Sequence, residues 1–419
     1  MRRSSRKGSA LVGVIWLLAV LSILIASYAV DAHLQTRINL YLRERITVDH
    51  LTDAGLAIAE VILTDYQNVS EASSEKAYYE MLEDDRWYAE KLMLKAQGGK
   101  EVTTGAVPID ALNPEGGTVT VTIRPIESKL NINNLYPGGD QNFADLWMNI
   151  LAVCGVPKDY WNGIVDGWCD WRDDDDTDRE EGAEKEFYSK AYEEYKRDVE
   201  HKEEEKDRHK NRNYLPKARN GEIVGIEELK AIKGFNEYDE KPINADAILN
   251  GGVLNPDDDE KDWITVTNGI SRFFSLYGSG KINVNAVKDP LALAVIPGIF
   301  QGNPDDERVE DVEDAIEIAK KIIELRDAAM PGESNILISS DKEEDEDTGA
   351  YKDFNNLQSR LQDVGLEVLP EASNYLSFQP DKFFEITIVG KSFGIVHKIV
   401  AIVVVADDKI RYLRWQEDP

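Results

Sequence analysis

An uncharged apolar run near the start of the chain limits the folds open to it more than any other feature. No charged residue occurs from Ser9 to Val30, and a helix of that length, rising about 1.5 Å per residue, crosses a hydrocarbon core of about 30 Å. Basic residues between Arg2 and Lys7 precede the run, and Asp31 follows it. Because positive flanks stay in the cytoplasm, we expect a single-pass membrane helix with a cytoplasmic N-terminus and an exported remainder.

Two cleavage patterns compete at this end of the chain. The small residues around Ala29 and Ala32 suit a secretory signal peptide, which would be removed. Gly8 and Ser9, between the basic stretch and the apolar run, resemble instead the cleavage point of a type IV prepilin leader. There a prepilin peptidase cuts after the glycine and leaves the apolar helix on the mature protein. We favour the prepilin pattern because the apolar run is longer than a usual signal-peptide core.

The fifth residue after that cleavage point is Gly13. Most pilins carry a glutamate there, which is thought to neutralise the amino group of the neighbouring subunit in the fibre. A subunit that lacks this carboxylate is expected where no other subunit lies above it.

The residues after the apolar run predict a long helix. No proline occurs before Pro108, and apolar residues keep a helical spacing over this stretch. We therefore predict one helix over residues 9–66 and a second, charged helix over residues 70–97.

An antiparallel sheet is predicted from two distant parts of the chain. Alternation of Val119, Val121 and Ile123 with threonines indicates a half-buried strand. Three β-rich runs near the other end indicate a meander; they are residues 383–389, 396–405 and 409–415. An early helix and strand with a late sheet predict an α+β fold in which a long N-terminal helix packs on an antiparallel sheet, interrupted by a large insertion.

The insertion carries internal repeats. Lys129–Asn133 (KLNIN) matches Lys281–Asn285 (KINVN), which predicts two related halves. A helix that ends on a left-handed glycine and turns into another helix is indicated at Gly155, Gly234 and Gly298. This pattern resembles the helix-hairpin-helix and the related SAM-like bundle, so we predict an all-α insertion of that kind.

The charge balance bears on the partners of the chain. Its 79 acidic residues outnumber its 48 basic ones, for a net charge of -31. Helix-hairpin-helix units can bind a DNA phosphate through backbone amides and basic flanks. Because the flanks here are acidic, with Glu227 and Glu228 before the second hairpin, we expect a structural scaffold and no nucleic-acid partner.

The densest group of carboxylates lies in residues 166–184. An oxygen-rich, sulfur-poor cluster without histidine suits a hard cation such as calcium. With Asp173 at position 1 of a calcium loop, Glu184 takes position 12, although Asp178 replaces the glycine at position 6. The alternative is a solvated acidic loop. The predicted calcium ligands are Asp173, Asp175 and Glu184, with weaker claims for Asp170 and Asp178.

Cys154 and Cys169 are the only cysteines. In an oxidising compartment they could form a disulfide, and separate burial of two small side chains is equally compatible with the sequence. None of the five histidines lies in a glycine-rich or nucleophile-bearing context, and neither Walker nor Rossmann spacing occurs. The sequence therefore does not predict an enzyme.

Together these features resemble one family, the K-type minor pseudopilins of type II secretion systems, or general secretion pathway protein K. The marks of the resemblance are Gly8-Ser9 with Gly13, Asn131–Asn133, Asp170–Asp175 with Gly182, Ala183, Glu184 and Tyr188, Ile226–Gly234, and Asn283–Asn285. The resemblance implies a pilin fold with a helical insertion, calcium in that insertion, N-methylation of Ser9, and a place at the tip of a periplasmic pseudopilus. The chain departs from the family pattern in the charged helix after Tyr188 and the acidic loop before Tyr351.

This resemblance implies an inner-membrane precursor, trimmed at Gly8, that caps and helps initiate the pseudopilus by which folded proteins cross the outer membrane. Its expected partners are the other minor pseudopilins of the tip complex, the major pseudopilin and the prepilin peptidase, with the bulk of the chain in the periplasm. The alternative is a membrane-tethered, calcium-dependent adhesin or a DNA-uptake receptor with helix-hairpin-helix units, which would keep its leader. The expected segments are a leader (1–8), a transmembrane part (9–30), a first pilin-like part (31–135), the insertion (136–350) and a C-terminal sheet (351–419).

Overall fold

The computed structural model describes ten stretches of the chain. They are residues 7–71, 92–95, 117–135, 141–201, 218–235, 244–254, 264–301, 309–328, 350–406 and 409–418. Their helices are α1 (Lys7–Glu71), α2 (Gln141–Cys154), α3 (Trp161–Arg172), α4 (Lys185–His201), α5 (Ala245–Asn250), α6 (Pro290–Ala294), α7 (Val309–Ala328) and α8 (Phe354–Gln362). Their strands are β1 (Leu92–Lys95), β2 (Thr118–Pro125), β3 (Leu130–Asn131), β4 (Gly252–Val253), β5 (Thr265–Val266), β6 (Phe274–Ser275), β7 (Ile282–Asn283), β8 (Leu376–Ser377), β9 (Phe383–Ser392), β10 (Ile395–Ala406) and β11 (Lys409–Asp418).

Helix α1 is unbroken over the whole of the predicted range and beyond it. Its apolar side chains from Leu11 to Val30 are exposed, and within the described part of the chain it is the one helix long and apolar enough to cross a membrane. Further along, Val48, Leu51 and Leu63 are fully or almost fully buried on one face of the same helix. The helix is therefore exposed where it is most apolar and packed where it meets the sheet.

The sheet under α1 has five strands in the order β1-β2-β9-β10-β11, and all neighbours are antiparallel. The predicted late meander is confirmed.

The predicted charged helix over residues 70–97 is wrong at Leu92–Lys95, because these residues pair with β2 as an edge strand. Residues 72–91 and 96–97 lie outside the described part of the chain.

Helix and sheet approach closely at Gly55 of α1. A Cβ atom at this position would lie 2.7 Å from Val119 Cγ2 and 2.8 Å from Ile388 Cγ2, which is too close for an ordinary contact. The glycine lets the two layers touch. The smaller hydrophobic core forms between them and includes Leu51, Val121 and Ile386.

A second, larger core lies in the chain between β2 and β9, which is the predicted insertion. It extends from Leu130 to Leu376 and also includes Leu135, Tyr351 and Leu361. Residues 130–135 and 351–376 thus pack with the insertion, although we predicted them in the pilin-like part. We assigned these residues to the pilin-like part because they lie next to the sheet strands in the sequence. Their apolar side chains instead pack in the larger core of the insertion.

Glu127 joins the two parts of the structure. It is 7% exposed, and its two carboxylate oxygens accept hydrogen bonds from the backbone N–H groups of Ser279, at 3.2 Å, and Lys382, at 3.0 Å. Because a buried carboxylate needs such donors, this contact fixes the start and the end of the insertion to each other.

Candidate metal centre

The acidic stretch begins at the C-terminal end of α3. The helix is held by two buried tryptophans: Trp168 Nε1 donates to Leu135 O at 3.0 Å, and Trp171 Nε1 donates to Glu228 Oε1 at 3.1 Å. Asp173 caps the helix in an extended conformation. Its position is therefore set by aromatic side chains in the larger core.

Three of the five predicted ligands are brought together. Oxygen atoms of Asp173, Asp175 and Glu184 all lie within 4.8 Å of one another. Asp173 directly follows α3, and Glu184 directly precedes α4. The loop between the two helices thus folds back so that its first and last carboxylates face each other.

Glu184 is the side chain that most needs a partner. It is 4% exposed, and neither of its oxygens accepts a hydrogen bond from any residue that the structure describes. Asp173 Oδ1 is also buried and accepts no hydrogen bond from the described residues. Burial raises the pKa of Glu184 to about 7, and the charges of Asp170 and Asp173 act in the same direction. Such a group is costly when ionised unless a cation neutralises it.

Asp170 is engaged differently. It is fully buried, and Arg179 contacts both of its oxygens: Nη1 lies 2.7 Å from Oδ1, and the backbone N–H donates to Oδ2 at 3.0 Å. The same Nη1 atom lies 2.7 Å from Asp173 Oδ2. Burial raises the pKa of Asp170, while the hydrogen bonds from Arg179 oppose that shift. We call Asp170, Asp173, Asp175 and Glu184 the acidic cage.

Asp178, the other weaker candidate, is exposed and lies outside the group of three.

Gly182 is part of the site for a steric reason, because a Cβ atom there would lie 2.0 Å from Asp170 Oδ2. Lys233 Nζ donates to Gly182 O at 2.9 Å, which holds this turn from outside.

Sequence reasoning missed two residues of this arrangement, Arg179 and Lys233. Arg179 had a signal, since it is the only basic residue between Asp173 and Glu184. Lys233 had no such signal, because it is far along the chain and is brought to Gly182 only by the fold.

The comparison with known families bears on this same region. A sequence model described as type II secretion system (T2SS), protein K, matches residues 128–240, which include the whole acidic cage. Over this stretch the chain is similar to the type II secretion system protein K family. No curated protein matches the sequence.

A solved structure is also similar to this chain. A chain of the GspK-GspI-GspJ complex from the type 2 secretion system of enterotoxigenic Escherichia coli aligns with a TM-score of 0.41 at 12% sequence identity. The alignment covers 72% of this chain and 80% of that chain.

The other predicted sites of the chain are the cleavage point and the two cysteines. Gly8 and Ser9 fall in the first turn of α1. Cys154 and Cys169 are free, buried thiols, so the structure has the separately buried cysteines and not the disulfide. Burial raises the pKa of both thiols, that of Cys169 to about 12.

The three predicted glycine turns have the expected backbone. Gly155, Gly234 and Gly298 have φ angles of 77°, 92° and 90°, in the left-handed region that favours glycine. The turn at Gly155 leads from α2 towards α3.

Proposed function

We propose that this chain acts as a minor pseudopilin that caps and helps initiate the pseudopilus of a type II secretion system. The structural observation that carries the proposal is α1. One helix combines an exposed apolar segment with a second part that packs on an antiparallel sheet. A fibre subunit stored in a membrane needs this combination, because the same helix serves first as an anchor and later as a packing element.

The exposed side of α1 continues beyond Asp31. Leu34, Ile38, Leu42 and Ile46 are each about half exposed, between 49% and 56%, and their four-residue spacing places them along one stripe. An apolar stripe outside the membrane supports packing against other subunits. We therefore propose the other minor pseudopilins and the major pseudopilin as partners, in the periplasm beside an inner membrane that α1 crosses with its N-terminus in the cytoplasm.

The test of this function is processing. Co-expression with a prepilin peptidase should remove Met1–Gly8 and leave Ser9, which we propose is then N-methylated, as the new N-terminus. Gly8→Val should block this cleavage, and Gly13→Val should not, because it lies inside the retained helix. Mass spectrometry of the N-terminal peptide distinguishes these outcomes. An N-terminus near Asp31 would contradict the pseudopilin proposal and favour a signal peptide.

We further propose that the acidic cage binds calcium. The supporting observation is the buried Glu184 carboxylate, whose oxygens face Asp173 and Asp175 and lack a donor among the described residues. Carboxylate oxygens in a partly open loop are the donors that calcium takes. A bound ion would supply positive charge between the end of α3 and the start of α4. Asp173, Asp175 and Glu184 would hold it, while Gly182 keeps the turn close.

The helical insertion is proposed to be a SAM-like, helix-hairpin-helix scaffold and not a nucleic-acid reader. Its left-handed glycine turns support the helix-hairpin-helix interpretation. Near the second turn, Glu227 pairs with Lys230, and Glu228 pairs with Arg219. Basic side chains there are thus neutralised by acidic neighbours, which disfavours contact with a phosphate backbone.

A further inference from the structure

The acidic cage contains a cation of its own. Arg179 Nη1 lies 2.7 Å from Asp170 Oδ1 and 2.7 Å from Asp173 Oδ2. Its backbone N–H donates to Asp170 Oδ2 at 3.0 Å. One residue therefore satisfies both oxygens of Asp170 and one oxygen of Asp173, through charge-assisted hydrogen bonds.

This contact divides the cage into two sides. On the arginine side, Asp170 is fully buried, and both of its oxygens have donors. On the open side, Asp173 Oδ1 and both oxygens of Glu184 are buried and accept no hydrogen bond from the described residues. Asp173 lies at the boundary, with one oxygen on each side. The charge is thus neutralised on one side only.

We propose that Arg179 is a tethered cation that occupies the arginine side permanently, so that the cage binds one divalent cation, on the open side. This inference rests on the proposed calcium site. It adds a residue that sets how many ions bind, and it assigns Asp170 to Arg179 instead of to the metal.

The charges of the cage support this division. Four carboxylates face one arginine and, on the open side, one divalent cation, which leaves a single net negative charge. Without the arginine the same ion would leave two negative charges, one of them on the fully buried Asp170. A buried carboxylate without a partner is strongly unfavourable, so a second cation would then be drawn to the arginine side.

The test compares calcium binding by the full detergent-solubilised chain and its variants, using calorimetric titration and thermal melting with and without chelator. Arg179→Gln should bind one more calcium ion per chain than wild type. In chelator it should also melt earlier, and calcium should restore most of the loss. Purification in calcium keeps this variant folded.

Arg219→Gln is the matched control. The side chains of Arg219 and Arg179 are both 36% exposed, and Arg219 pairs with Glu228 outside the cage. This control should bind the same number of ions as wild type. Asp170→Asn combined with Arg179→Gln removes the buried charge together with its partner, so the double variant should also return to the wild-type number.

The outcomes separate the two proposals. If wild type and Arg179→Gln bind equal numbers of calcium ions, and Glu184→Gln loses one, the calcium site stands and the role of Arg179 is overturned. A calcium-bound crystal structure in which Arg179 has left Asp170 would overturn that role too. If calcium changes neither heat nor melting in any variant, the calcium site itself fails and this inference fails with it.

Discussion

Two stretches of the insertion begin with the repeated sequence, and their described residues share a hydrogen-bonded frame. We call the described residues within 129–275 the first half and those within 281–377 the second half. In the first half, Asn131 Oδ1 accepts a hydrogen bond from Asn133 N at 3.0 Å, and in the second half Asn283 Oδ1 accepts one from Asn285 N at 3.0 Å. The strand at the start of each repeated sequence also forms a short parallel pair, β3 with β6 and β7 with β8. The repeated sequence therefore makes the same hydrogen bonds and the same kind of strand pair in both halves.

The second asparagine of each repeated sequence, just after the strand, holds a distant segment of the chain. Asn133 donates to Ile223 O at 3.1 Å and accepts from Ile223 N at 2.9 Å. Asn285 does the same with Tyr351, at 2.9 Å and 2.8 Å. In both halves one side-chain amide therefore takes the place of a backbone partner for a chain segment that returns to the core.

A buried arginine near the end of a helix is the third common element. Arg172 of α3 donates to Asn133 O at 3.0 Å. Arg326 of α7 donates to Val284 O at 2.9 Å and to Val287 O at 2.7 Å. Each arginine thus links its helix to the residues that directly follow the short strand at the start of the same half.

The halves differ in the acidic residues beside these arginines. Asp170 precedes Arg172 by two positions and is fully buried, whereas Glu324, at the same place before Arg326, has a side chain 65% exposed. Arg326 Nε donates to Asp327 Oδ1 at 2.8 Å, whereas Asp173 faces Glu184. A repeated frame thus carries the cage in its first half, because the loop after Asp173 folds back onto it.

The largest expected effect comes from breaking the shared frame. Asn285→Ala removes both partners of the Tyr351 backbone at a site 5% exposed, so we expect a loss of about 3 kcal/mol of unfolding free energy. Asn133→Ala, at a more exposed site, should cost about 2 kcal/mol. Chemical unfolding of the solubilised chain measures both losses.

Asn134→Ala provides the control for that prediction. Asn134 is exposed and makes a side-chain bond to Ser279 O at 3.0 Å, so its removal should cost less than about 1 kcal/mol. Equal losses in the three variants would show that the asparagine contacts do not hold the two halves.

The next effect distinguishes the halves. Burial raises the pKa of the Glu184 carboxyl group to about 7, so its ionised form destabilises the fold when no cation is bound. Glu184→Gln removes that charge, and in chelator this variant should be more stable than wild type, by up to about 3 kcal/mol. It should also lose the stabilisation by calcium. Glu324→Gln, in the second half, should change neither quantity. Thermal melts with calcium or with chelator provide the comparison, and a Glu184→Gln variant that still responds to calcium would refute the ligand assignment.

The smallest effect concerns the exposed edge of the cage. Asp175→Asn should weaken calcium binding about tenfold, which is about 1.4 kcal/mol, because one charged ligand becomes neutral. Asp178→Asn should leave the affinity unchanged, since Asp178 lies outside the group of three. Calorimetric titration measures both affinities. A larger effect at Asp178 than at Asp175 would require a different ligand set.

Local patterns predicted much of this fold. The long helix follows from the absence of proline and from apolar spacing, and the meander follows from β-branched runs, since both signals are contained in a few neighbouring residues. The strand at Leu92–Lys95 was not predicted, because its pairing with β2 is a contact between segments separated in the chain. Residues 351–376 were likewise assigned to the wrong part, because core membership depends on tertiary packing.

The candidate site shows the same division. Asp173, Asp175 and Glu184 were predicted from loop spacing, and the structure brings them together. Asp170 was ranked with Asp178, although the structure buries one and exposes the other. The difference comes from Arg179, whose guanidinium reaches back over the loop. Spacing alone does not show which carboxylate such a side chain selects.

Hydrogen exchange with and without calcium, followed by mass spectrometry, tests most directly whether the cage of the first half is a calcium site. At short exchange times, when local openings dominate, calcium should slow exchange in α3, in the loop before Glu184 and at the start of α4. Exchange in α7 and α8 of the second half should stay unchanged. Exchange that calcium leaves unaltered in the first half, or slows equally in both halves, would contradict the account.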